Sequence, residues 1–121
     1  MTIEGDALAG RRVLVVEDNF NIAAAIARML KARGAEIVGP IGTVKHGLAA
    51  IADNQQVDGA VLDINLRGDM VYPIVDVMRS KGVPIVFVTG YDKASVKPGY
   101  TDIPCLLKPV TVEQLMQALF G

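Results

Sequence analysis

The feature that most constrains this chain is a series of short apolar runs, each stopping abruptly on a polar or charged residue. Arg12-Val13-Leu14-Val15-Val16 runs into Glu17-Asp18-Asn19, and Gly59-Ala60-Val61-Leu62 runs into Asp63. Pro84-Ile85-Val86-Phe87-Val88 ends at Thr89-Gly90, and Cys105-Leu106-Leu107 ends at Lys108-Pro109. Runs of this length without polar alternation suit strands buried on both faces, as in parallel sheets. Glu36-Ile37-Val38-Gly39 reads as one further short strand. Helical patterns fill the gaps. Ile22, Ile26, Met29 and Leu30 recur at helical spacing before a stop at Gly34; Thr43 caps a helix carrying Val44, Leu48 and Ile51. After an expected loop at Arg67-Gly68-Asp69, a helix spans Val71 to Arg79 with Pro73 near its first turn. Thr111 caps a last helix with Leu115, Met116, Leu119 and Phe120. Strands alternating with helices predict an α/β fold, a doubly wound parallel sheet with helices on both faces.

One segment breaks the alternation. Tyr91 to Pro104 contains Lys97-Pro98-Gly99 and Asp102-Ile103-Pro104, leaving little room for a regular helix. A loop, or a single turn, is expected there in place of a full fourth helix. Met1–Gly10 is polar and glycine-containing and is expected to be a flexible segment, with the domain proper over 11–121.

The 121 residues suffice for one domain, and 51% of them are apolar, enough for a single core. Twelve basic against 13 acidic residues, without a basic stripe, argue against nucleic-acid binding. The lone Cys105 excludes an internal disulfide. No secretory pattern or membrane-length apolar run is present, so a cytoplasmic location without membrane contact is expected. Met1 and a helix ending near Gly121 suggest a complete small protein.

The chemistry lies at the strand ends. Glu17-Asp18, Asp63, Thr89 and Lys108 each fall just past a strand, and ligands of open α/β sheets bind at that edge. Gathered carboxylates repel unless a cation joins them. Mg²⁺ suits such a site, because it prefers oxygen ligands and keeps waters. A carboxylate is also a competent nucleophile toward phosphorus, and transfer then needs positioning and neutralisation of the phosphoryl oxygens. Lys108 offers a point charge and Thr89 a hydroxyl. Taken singly, Glu17 and Asp18 would read as helix N-terminal acids and Thr89 as a capping hydroxyl. His46 reads as a surface residue, and Cys105 as a small buried hydrophobe.

The ordered set Val15-Val16-Glu17-Asp18-Asn19, Leu62-Asp63-Ile64-Asn65-Leu66, Val88-Thr89-Gly90 and Leu107-Lys108-Pro109 resembles the receiver domain of two-component response regulators. The resemblance covers essentially all of 11–121. It implies a five-stranded parallel sheet in the order 2-1-3-4-5, with Asp63 as phosphoacceptor. It implies that Asp18 binds Mg²⁺ directly, Glu17 through water, and Asn65 through its backbone carbonyl. Thr89 would follow the phosphoryl group and Lys108 pair with it. The implied donor is a sensor histidine kinase or a histidine phosphotransfer protein, and the implied output is protein–protein contact or onward phosphoryl relay. Such a domain is not an enzyme beyond catalysing its own phosphorylation and slow dephosphorylation.

The sequence departs from the family pattern at Cys105, where many members carry Tyr or Phe. Pro84-Ile85-Val86-Phe87-Val88-Thr89-Gly90-Tyr91 resembles instead an alphaproteobacterial receiver subgroup named FATGUY after its motif, although Val88 stands where Ala is usual. That subgroup also lacks the aromatic, often has a modified fourth helix, and is linked to general stress signalling. With the usual aromatic partner missing, the Tyr91–Pro104 segment is expected to be the switch itself. The competing expectation is a receiver-fold binding module that no longer cycles phosphate.

Overall fold

The computed structural model of the chain describes residues 7–53, 56–90 and 96–121. The elements are β1 (Arg12–Val16), α1 (Phe20–Lys31), β2 (Glu36–Ile41), α2 (Val44–Asp53) and β3 (Gly59–Leu62). They are followed by β4 (Asn65–Leu66), β5 (Asp69–Met70), α3 (Tyr72–Ser80), β6 (Ile85–Thr89), β7 (Cys105–Leu107) and α4 (Val112–Phe120). Five strands form a parallel sheet in the order β2-β1-β3-β6-β7. This is the expected 2-1-3-4-5 arrangement, with a small antiparallel hairpin, β4-β5, inserted after β3. The Arg67-Gly68-Asp69 stretch, expected to be a plain loop, is the turn and second arm of that hairpin.

Side chains leave a strand alternately to its two faces, and here both faces are covered. Leu14, Val16, Ala60, Leu62, Ile85 and Phe87 point toward the core formed with α2 and α3. Val13, Val15, Val61, Val86 and Val88 point toward the core formed with α1 and α4. That is why the strand sequences are continuously apolar rather than alternating.

The helix ends follow local chemistry. The Asn19 side chain accepts from the Ile22 N–H, and Thr43 Oγ1 accepts from the His46 N–H. Thr111 and Gln114 form a reciprocal capping box at the start of α4. Gly34 takes the left-handed φ of 97° that ends α1. At Gly39, where φ is 106°, a Cβ would meet the Ile41 N at 2.9 Å and the Val15 carbonyl at 3.0 Å. The kinked end of β2 there brings the Ile41 carbonyl to accept from the Glu17 N–H at 2.8 Å.

Between β6 and β7, the described residues 96–104 form turns and no helix. Val96 and Ile103 nevertheless enter the core beside Tyr72 and Phe87. The strap is tied to α3. Tyr100 lies on Tyr72 with ring centroids 4.5 Å apart, and its hydroxyl donates to Asp76 at 2.7 Å. Arg79 donates to the Gly99 carbonyl and to Asp102. The strap therefore does the covering work of the shortened helix. Tyr100 is a packing residue, whereas Tyr91 lies outside the described residues.

The expected fraying of Met1–Gly10 does not extend to its last residues. Leu8 is 2% exposed, sits in the α1/α4 core, and its N–H donates to the Arg33 carbonyl at 2.7 Å. One leucine in a polar stretch has no periodicity to mark it as core. Truncation there tests the point: Leu8→Ala should lower the unfolding free energy by about 2–4 kcal/mol. A change within about 0.5 kcal/mol in urea melts, as for an ordinary surface substitution, would show that the segment is not part of the core.

Candidate functional site

The C-terminal edge of the sheet gathers the expected residues. Glu17 follows β1, Asp63 follows β3, Thr89 closes β6 and Lys108 follows β7. All four line one cleft of about 880 Å³, together with Asp18, Asn65, Arg67 and Met70. Backbone bonds fix their starting points. The Asp63 N–H donates to the Val16 carbonyl at 2.9 Å, and the Lys108 N–H donates to the Thr89 carbonyl at 2.8 Å. The sheet ladder thus runs one step beyond the strands and holds each side chain at the floor of the cleft.

Glu17, Asp63 and Thr89 are all buried, which is uncommon for carboxylates without a partner. The partner is Lys108. Its ammonium donates to Asp63 Oδ2 at 3.1 Å and contacts Glu17 Oε1. The other Glu17 oxygen accepts from the Asn19 N–H at 3.0 Å. Burial alone would pull the Lys108 ammonium down; the contacts with Glu17 and Asp63 outweigh it and hold the group above the ordinary lysine value. It is therefore fully charged at neutral pH. Burial, a hydrogen bond with Glu17 and repulsion from that carboxylate raise the Asp18 carboxyl.

Ligand oxygens of Glu17, Asp18 and Asp63 lie within 4.8 Å of one another. Three carboxylates against one ammonium leave two negative charges without a buried counter-charge. The set is all oxygen, the donor chemistry of a hard divalent cation, so these residues fit Mg²⁺. Asn65 lines the cleft, while its side-chain oxygen accepts from the Gly68 N–H at 2.6 Å and so braces the hairpin. Arg67 is a cleft residue the sequence did not mark; in a short polar stretch, no pattern distinguishes it from a loop arginine. His46 lies exposed on α2, bonded to Thr43, and Cys105 is half-buried in β7; neither lines the cleft.

A family model described as the response regulator receiver domain matches residues 13–120. A solution structure of SdrG from Sphingomonas melonis Fr1 is 32% identical, covers 98% of this chain and 95% of its own, and superposes with a TM-score of 0.79. The beryllofluoride-activated conformation of SdrG from Pseudomonas melonis Fr1 is 34% identical, with 91% and 93% coverage and a TM-score of 0.74. The transcriptional regulatory protein PdtaR of Mycobacterium tuberculosis is 28% identical over 98% of this chain, which spans only 59% of that relative's length.

The acidic cluster makes a signed prediction. A raised Asp18 pKa means the cation-free fold favours the protonated acid, so its charged form weakens the fold at neutral pH. In chelator, Asp18→Asn should leave the thermal midpoint unchanged or higher. The stability that Asp18 contributes to the native chain should rise as pH falls through its raised pKa. In millimolar MgCl₂ the native midpoint should climb by linkage, and the variant should lose most of that climb. A variant that is weaker in chelator yet keeps the full magnesium response would refute this account of the cluster.

Proposed function

The chain belongs to the response regulator receiver domain family, and on that premise we propose that it is a phosphoacceptor whose acceptor atom is a carboxylate oxygen of Asp63. Receivers of this family are signalling modules phosphorylated by histidine kinases or phosphotransfer proteins. The observation that carries the reading is the Lys108 ammonium held jointly by Asp63 and Glu17 at the floor of an acidic cleft.

In the transfer, an Asp63 oxygen forms a bond to the donor phosphorus. The donor's P–N bond breaks on the opposite side, and its electron pair leaves with the imidazole. Lys108 is already within hydrogen-bond distance of Asp63 Oδ2, so it can stay with the product and balance its added charge. Thr89, buried at the end of β6, supplies a hydroxyl to a phosphoryl oxygen. Glu17, Asp18 and Asp63, with the backbone carbonyl of Asn65, would hold Mg²⁺. When bound, that cation neutralises the phosphoryl oxygens and fixes their orientation.

The output is a changed surface, read by another protein or passed on as a phosphoryl group. We place that change in the segment after Thr89. β6 leads directly into it, Cys105 offers no ring to swing inward, and residues 96–104 cover α3 as turns, with Val96 and Ile103 in the core and polar contacts at the surface. Residues 91–95 of that segment lie outside the described residues.

Intact mass after incubation with acetyl phosphate and MgCl₂ tests the acceptor. A phosphoryl adduct should form on the native chain, vanish in Asp63→Asn and in chelator, and form at least about tenfold more slowly in Lys108→Ala, the loss expected for one removed charge-stabilising group. An adduct that survives in Asp63→Asn would move the acceptor elsewhere. No adduct from either a small donor or a competent phosphohistidine protein would point to a phosphate-independent binding module.

A further inference from the structure

The β4–β5 hairpin rises beside the cleft and is rigidly built. Asn65 pairs with Met70 and Leu66 with Asp69, which leaves Arg67 and Gly68 as a two-residue turn. Leu66 is 4% exposed and anchors the hairpin in the core, and the Val71 N–H donates to the Ile64 carbonyl at 2.9 Å. Both turn residues have positive φ, 57° at Arg67 and 92° at Gly68. Hairpin turns of this kind favour Asn-Gly or Asp-Gly, because a longer side chain in the left-handed region crowds its own backbone. Among the described non-glycine residues, Arg67 is the one with positive φ. Arginine stands where asparagine would fold more easily, and such local violations concentrate at functional sites.

The arginine's contacts within the chain do not offset that disadvantage. Its Nε lies 3.7 Å from Asp18 Oδ2 with the side chain 82% exposed, and an exposed pair of this length stabilises little. Lys108, the other cation lining the cleft, is held by Glu17 and Asp63. Arg67 is thus the lining cation whose donors face solvent at the mouth. A planar guanidinium matches the paired oxygens of a phosphoryl group better than any other side chain.

We propose that Arg67 is a donor-binding residue, whose guanidinium engages the phosphoryl oxygens of the incoming donor at the cleft mouth before transfer to Asp63. The inference rests on the phosphoacceptor reading above. Small acyl phosphates and phosphohistidine present the same phosphoryl oxygens, so the contact is indifferent to the leaving group.

The test is Arg67→Asn, which removes the guanidinium while installing the residue the turn prefers. Its thermal midpoint in chelator should equal or exceed the native one. At saturating MgCl₂, its affinity for beryllofluoride, a phosphoryl mimic, should fall by about three- to tenfold, the range for one charge-assisted contact at an exposed position. Phosphorylation rates with acetyl phosphate and with phosphoramidate should fall by a similar factor, and Arg67→Lys should recover part of the loss. Unchanged beryllofluoride affinity accompanied by tighter Mg²⁺ binding would overturn the proposal and leave Arg67 as the counter-ion of Asp18. Slowing with only one donor would overturn it too, since the contact would then be to the leaving group. A lowered midpoint would overturn the turn argument on which it stands. If the native chain takes neither beryllofluoride nor a phosphoryl group, the phosphoacceptor reading itself fails; a working native chain with an indistinguishable Arg67→Asn sinks this inference alone.

Discussion

The site depends on one ammonium group reaching across the sheet. Lys108 follows β7, yet its partners Glu17 and Asp63 follow β1 and β3, with β6 lying between β3 and β7. Neighbouring strands are roughly 4.8 Å apart, so only a long, flexible side chain spans the gap. Without that ammonium, two buried carboxylates would face each other with no counter-charge, an arrangement costing several kcal/mol per unpaired ion, by the order of magnitude for buried charges. The strand order and the charge pairing therefore support each other. A different order would put Lys108 out of reach.

The doubly covered sheet is what makes such a site stable. Apolar side chains on both faces leave polar residues only at the strand ends, and the ladder of hydrogen bonds fixes where those ends fall. The chain relaxes the plan in one place. On the α3 side, the turns of 96–104 cover the core with Val96 and Ile103; the buried Tyr72 accepts from the Lys97 N–H, and Arg79 and Asp76 hold the turns at the surface. Around the buried Val96 and Ile103 the fastenings are one exposed ion pair, Arg79–Asp102, with hydrogen bonds and a ring contact, individually weak.

Much of this was legible in the residues. The apolar runs, the caps at Thr43 and Thr111, and the stop at Gly34 all appear where the sequence places them. So does the gathering of Glu17, Asp18, Asp63, Thr89 and Lys108 at one edge. The hairpin at 65–70 was not legible, because two-residue strands carry no period. Leu8 was missed for a similar reason: it is a lone leucine without helical or strand periodicity, and its partners in the α1/α4 core are distant in sequence.

The residues alone mark the five strands of the parallel sheet, its helices and the polar residues that close the strands. Those properties arise from the chain's own periodicity and from hydrogen bonds within three or four residues. Folding in three dimensions is what joins Lys108 to Asp63 and Glu17, lays Tyr100 against Tyr72, and stands Arg67 at the cleft mouth beside Asp18. Each of these contacts joins residues more than twenty positions apart. Their distances follow from strand order and packing, which no local pattern encodes.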